Sequence, residues 1–280
     1  VKSVSRLVET NADILILWRK LIIRLMKRIL SAAAVLALSA SLLVGCSSGT
    51  ASSVPVSASS AAESTVSSVE ETASSAVDEN EAAAAQLLND LTGSYQELWP
   101  VILADEYKQT WLDDCTALVG EDNAEAAFEK LSSMVTGDVY GEDAVKAYAN
   151  GGGAYFCGFT NSLATLTFDG ETSTISGTDK DGNVLFSHTY HYIGMEPVHG
   201  LYEFESDDAD SGEFTYFFLA PDTSAETYHI EFRYGSDADA LSQYDAGEYA
   251  YWVASGISTD CDQTMIDNCI ELFCTENLAG

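Results

Sequence analysis

Four histidines, five cysteines after Cys46 and a large excess of acids are what this sequence offers for chemistry. The one arrangement with ligand-like spacing is His229-Ile230-Glu231, inside the β-type run Thr227–Tyr234. On a strand, residues two apart share a face. His229 and Glu231 therefore stand side by side, and Ile230, Phe232 and Tyr234 take the other face. Imidazole nitrogen with carboxylate oxygen is a donor set that zinc accepts. Two donors do not close a site, so a third would come from His188, His191, His199 or a nearby acid, with water completing the shell. His188 shares a face with Tyr190 and Tyr192 while His191 faces the opposite way, so at most one of them enters the same space. Arg233 follows on the face of His229 and Glu231 and is the sole arginine after residue 45. A Glu231–Arg233 ion pair beside a purely structural His229 is the alternative to a metal.

Other chemistry is excluded by spacing. There is no C-x-x-C pair among Cys115, Cys157, Cys261, Cys269 and Cys274, which argues against a thiolate zinc cluster or a thioredoxin-like centre. Outside the cell, five cysteines allow up to two disulfides with one thiol left over, and their pairing stays open. Cys157 reads as a buried core thiol rather than a nucleophile. Asp179-Lys180-Asp181-Gly182 has its glycine fourth rather than sixth, which fails the calcium-loop pattern. Asp207–Gly212 lacks the third-position oxygen and the closing glutamate. Both read as acidic hairpin loops. Gly151-Gly152-Gly153 is not a phosphate cradle, since the G-x-G-x-x-G spacing fails at Phe156. H-E-x-x-H and Walker strings are absent, and the one G-x-S-x-G match, Gly45-Cys46-Ser47-Ser48-Gly49, lies N-terminal to the folded part of the chain, so no constellation for an enzyme is present there.

The charge is unevenly placed. The chain has 280 residues and a formal net charge of −32. Seven of its 12 Lys and Arg lie in residues 1–45, which leaves five cations against 42 acids in the remainder. A surface that acidic repels phosphate backbones, so nucleic acid is excluded as a partner. From Met26, a basic start, an apolar run from Ile29 to Val44 and small residues before Cys46 make up a secretory signal. The run is short for a bilayer-spanning helix, which needs about 20 residues. Leu43-Val44-Gly45-Cys46 followed by Ser47-Ser48 resembles the bacterial lipoprotein signal, in which the cysteine is lipidated. That resemblance implies an extracytoplasmic protein anchored to the cell membrane through Cys46. Residues 1–25 read as an upstream segment from a mis-called start and residues 46–80 as a flexible Ser/Ala-rich linker. Residues 81–280 are then one folded domain.

Within that domain, three- and four-residue apolar steps predict helices from Glu81 to about Asn150: a first run through Ile102 broken near Pro100, then Tyr107–Val119, Asn123–Met134 and Gly141–Ala149. From Ala154 onward, short β-type runs alternate with turns. They are Ala154–Thr160, Leu163–Phe168, Thr172–Gly177, Val184–Tyr192, Gly200–Glu205, Glu213–Leu219 and Thr227–Tyr234. A short helix near Ala238–Tyr244, a strand near Tyr249–Ala254 and a helix from Ser258 or Thr259 to about Thr275 finish the chain. Strands at about ten-residue spacing imply a sandwich or closed barrel.

That order resembles the ZinT/YodA family of calycin-like metal-binding proteins, found also as the C-terminal part of AdcA-type zinc lipoproteins. The matching stretches are Leu91–Leu103, Gly200–Glu205, Leu219–Asp222, Tyr228–Tyr251 and the lead from Gly256-Ile257-Ser258 into a helix. The resemblance implies an α+β, mostly β fold: a lipocalin-like (calycin) barrel flanked by N-terminal helices and a C-terminal helix. It also implies zinc as ligand, acquisition or buffering as role, and a metal ABC transporter as partner. The family's ligand positions carry over incompletely. His229 keeps one, Glu231 replaces a histidine, Phe217 stands where another would be, and the N-terminal part of the domain has no histidine. The resemblance places His229 and Glu231 inside the barrel mouth. The alternative is a calycin-type module with a decayed metal site, whose cavity near Phe217 takes a small organic ligand or a peptide.

Overall fold

The computed structural model describes residues 79–150, 153–220 and 229–279. The signal segment, Cys46 and the linker lie outside the described residues. Among those described, no helix is long and apolar enough to cross a membrane.

Eight antiparallel strands close into a barrel in simple sequence order. They are β1 Gly93–Glu97, β2 Thr165–Asp169, β3 Thr174–Thr178, β4 Val184–Met195, β5 Tyr202–Ser206, β6 Tyr216–Leu219, β7 His229–Gly235 and β8 Ala254–Ser258. The seam is β1 on β8, with Tyr95 opposite Ser258 and Glu97 opposite Gly256. The helices are residues 79–90 (α1), α2 Leu98–Ile102, α3 Lys108–Val119, α4 Glu121–Val135, α5 Glu142–Ala149, the single turn α6 Ala238–Leu241 and α7 Gln263–Leu278. The expected architecture is thus present.

Local chemistry sets the boundaries. Gly120, at φ +84°, ends α3 in a conformation that other residues adopt only with strain. The carboxylate of Asp262 accepts the Met265 N–H at 3.0 Å and caps α7. Gly182 takes φ +79° in the β3–β4 turn. There the Asp179 carboxylate accepts the N–H groups of Asp181 and Asn183, each at 2.9 Å, so this loop spends its acid on its own turn.

Three expectations are corrected. Residues 93–97 are a strand within the expected helical third: Gly93 sits at φ +145°, which breaks the helical run, and Ser94-Tyr95-Gln96 then alternate. Ala154–Thr160 is no ladder strand; only Phe156 forms isolated bridges, to Thr136 and Trp252. The last strand lies at Ala254–Ser258 rather than Tyr249–Ala254, so α7 starts at Gln263.

Two cores result. The barrel interior is aromatic: Phe168, Phe186, Tyr190, Phe204, Phe217, Phe232 and Tyr234 are buried together. Residues 79–90 pack over one end through Ala84, Leu87 and Leu88, and Gly170 lies so close to Asn89 that a Cβ would stand 2.4 Å from its Cα. Phe159 and Phe214 close the other end, Phe214 stacking on Phe186 at 4.0 Å. The second core lies outside the barrel wall, where Ile257 of β8 packs with Trp99, Trp111, Leu131 and Ile270 of the helical layer.

Candidate functional site

Strand β7 carries the predicted pair and sets its direction. Ile230, Phe232 and Tyr234 belong to the interior core; Phe217 stacks on Phe232 and Tyr234 with ring centroids 6.3 and 5.4 Å apart. His229, Glu231 and Arg233 therefore project from the outer wall. Register agrees: His229 lies opposite Ile257, which is buried in the outer core, and Glu231 lies opposite Ser255. The two side chains share a face as expected, but that face is the outside of the barrel. The expectation that they point inward is corrected, and the reason is apolarity: the all-apolar alternate set takes the core.

The outer face is not open water. His229 and Glu231 are partly buried. Desolvation pushes the His229 pKa down to about 4, so the ring is neutral at physiological pH. Next to the pair, the Cys157 thiol is pushed well up by burial, and the Glu231 charge adds to the rise.

Arg233 is fully buried and serves the fold. Its guanidinium donates to the carbonyls of Leu241, Gln243 and Tyr249 and lies 4.2 Å from the Tyr244 ring centroid. This pins residues 241–249 against the outer wall. Tyr244 in turn contacts the His199 ring at 3.8 Å. The buried Glu196 carboxylate accepts the N–H of Val198 at 3.0 Å and of His199 at 2.5 Å, and lies 3.3 Å from His199 Nδ1. Burial alone would raise the Glu196 pKa, but the bonds from His199 and Val198 outweigh it and hold it below the usual carboxylate range. Sequence reasoning missed this stack. Its signal was available: Glu196-Pro197-Val198-His199 places acid and imidazole three apart in a turn.

The other histidines are dispersed. His188 turns to the barrel interior side, beside Phe186, and pairs with Asp208 at 2.8 Å. His191 faces outward and pairs with Asp207 at 2.8 Å. As expected from their spacing, only one of the two enters the barrel. Among the described residues, no three His, Cys, Asp or Glu side chains converge on a cation-sized site. His188, His191 and His199 thus do not complete a three-donor group with His229 and Glu231. Phe217, at the position where the resemblance expects a histidine, is fully buried among rings.

No family model matches the chain, and no curated protein matches it. In structure it is similar to the Zn(II)-bound ZinT-like domain of Streptococcus pneumoniae AdcA, with a TM-score of 0.42 and 15% identity over 66% of this chain and 89% of that one. It is also similar to Zn(II)-bound AdcA of Streptococcus pneumoniae, with a TM-score of 0.39 and 14% identity over 67% of this chain. That match spans 35% of AdcA, about a third of its length.

A separate cavity of about 320 Å³ opens outside the barrel, between α2, the end of α4 and residues 156–158. Trp99, Leu103, Val135 and Phe156 give it apolar walls, and Glu97 stands at its edge. The Glu97 carboxylate is already engaged, accepting the Phe159 N–H at 2.6 Å.

Proposed function

We propose that this chain is an extracytoplasmic protein, lipid-anchored through Cys46, that binds a divalent cation for acquisition or buffering. Zinc is the cation its donors suit best, and His229 and Glu231 are the ligands. The observation that carries the reading is the outer-wall pair itself: an imidazole kept neutral by desolvation beside a carboxylate on the same strand face. A neutral ring is the coordinating form, so binding need not displace a proton from it at pH 7. Two protein donors leave the other positions to water, and the affinity is correspondingly modest. A metal ABC transporter is the natural recipient of such a cargo.

Calorimetric titration of the metal-free mature chain with Zn²⁺ tests this. Saturable submillimolar binding that His229→Ala and Glu231→Gln each abolish supports it; no saturable heat in the unaltered chain refutes it. Anchoring is tested separately. Mass spectrometry of the membrane fraction should find lipid on Cys46, and Cys46→Ser should release the protein to the medium. An unmodified Cys46 in membrane-bound protein overturns the anchor.

A second reading, a binding module for a small organic ligand, loses its expected cavity near Phe217, which rings fill, and is favoured instead by the cavity beside Trp99. Its volume lies at the lower end of the range for small-molecule sites. Uptake of an apolar reporter dye that Val135→Trp blocks would support it. Uptake unchanged by that substitution would place the dye elsewhere and refute it.

A further inference from the structure

Two thiols in the helical layer lie together. Cys115 on α3 and Cys274 on α7 are both fully buried, 159 residues apart in sequence, with their sulfur atoms 3.9 Å apart. Their helices pack against each other directly. Cys157 stands apart, between Trp99 and the outer face of β7 and β8, and Cys261 precedes α7, at the opposite end from Cys274. We infer that Cys115 and Cys274 are a disulfide-forming pair that ties α3 to α7 in the mature protein. Formation in the cell rests on the proposal that the domain is exported, because an oxidising compartment is what lets such a bond persist.

The reaction is a thiol–disulfide exchange with a disulfide oxidant. One cysteine thiolate attacks a sulfur of the oxidant, expelling one thiolate and leaving a mixed disulfide. The second cysteine thiolate then attacks the mixed disulfide at the protein sulfur and expels the other thiolate. The two cysteines lose two electrons and two protons in all, and the oxidant becomes two thiols. Both side chains are sealed from solvent in the folded domain, and burial pushes both thiols up, so few thiolates exist there. Exchange therefore belongs to the folding stage at which α3 meets α7. Afterwards the same burial shields the bond from reductant.

The test uses the mature chain refolded in a glutathione redox buffer, followed by peptide mapping without reduction. The expected product is one linked peptide pair joining Cys115 and Cys274, two mass units lighter than its free parts, with Cys157 alkylated only after denaturation. Free Cys115 and Cys274 after refolding, or either of them linked to another cysteine, overturns the pairing. The same map is made on protein isolated from the membrane fraction. Linkage in the glutathione buffer but free thiols in the membrane protein overturns the export reading and leaves the pair standing. Reduction by dithiothreitol in denaturant, followed by refolding with the reductant present, should lower the melting temperature by roughly 5–15 °C, the range expected for losing a long-loop crosslink in a domain of this size. The Cys115→Ala/Cys274→Ala variant should show no such response, and an equal shift in that variant also overturns the proposal.

Discussion

Substituting Phe217→His tests the direction of β7 and β6 together. If the barrel wall separates position 217 from the outer pair, an imidazole there supplies the histidine that the sequence resemblance expects without building a site. Phe217 is fully buried, with ring centroids of Tyr190, Tyr234, Phe186 and Phe232 at 5.4, 5.4, 5.9 and 6.3 Å. Replacing it removes those contacts, worth about 0.5–1.5 kcal/mol for an aromatic pair beyond its area. It also buries a ring nitrogen among phenyl groups, at about 1–3 kcal/mol if unpaired. Together with the lost apolar volume, the expected destabilisation is about 3–5 kcal/mol. For a domain of this size that lowers the melting temperature by about 6–20 °C. The assay is a urea titration for stability beside calorimetry for zinc. The expected outcome is a less stable protein whose zinc affinity matches the wild type. A variant that keeps its stability and binds zinc at least tenfold tighter would refute the inward placement of position 217 and the outward placement of the pair.

Three further outcomes follow from the same geometry. Arg233→Met strips the donors from the carbonyls of Leu241, Gln243 and Tyr249, and should cost about 3–5 kcal/mol in denaturant unfolding; a loss below 1 kcal/mol would show that the guanidinium is dispensable. His229 contributes pH dependence of a definite sign. Its folded pKa, about 4, lies below the ordinary 6.5, so its stabilisation is complete above pH 6.5 and is lost as pH falls to 4, by about 3 kcal/mol. The stability difference between wild type and His229→Gln should therefore change by that amount between pH 7 and pH 4, and a constant difference would contradict the burial. Glu196→Gln weakens the acceptor of the Val198 and His199 amides, so hydrogen exchange at those two sites should speed up at least tenfold, while exchange at β7 stays unchanged.

Much of this architecture was legible because period-two alternation survives wherever one strand face is apolar. β6 falls within its expected run, β2, β3, β5 and β7 overlap theirs and end one residue later, and the same-face relation of His229 and Glu231 follows from the same period. The direction of that face was harder to read. Helices and loops cover the outer wall of β7, so its polar set is shielded too, and proximity to the core no longer separates the two faces. The decisive signal was the unbroken apolar set Ile230, Phe232, Tyr234. β1 was hidden because Tyr95 and Leu98 continue the helical spacing of Leu88 and Leu91, and only the backbone of Gly93 interrupts it. The expected strand Ala154–Thr160 failed for the converse reason: its apolar residues fill gaps between layers instead of pairing in a ladder. The Arg233–Tyr244–His199–Glu196 stack joins segments distant in sequence, and such contacts leave little periodic trace.

The seam between β1 and β8 has a kinetic consequence. Tyr95 and Ser258 meet across 163 positions of chain, so the wall cannot shut until the distal portion has emerged from whatever synthesises or transports it. Until then both margins of the nascent sheet stand bare, with amide and carbonyl groups ready to pair with a neighbour. Such remote closure is intrinsically slow. Shielding the growing polypeptide during that interval keeps those margins from pairing with a second chain before the wall shuts.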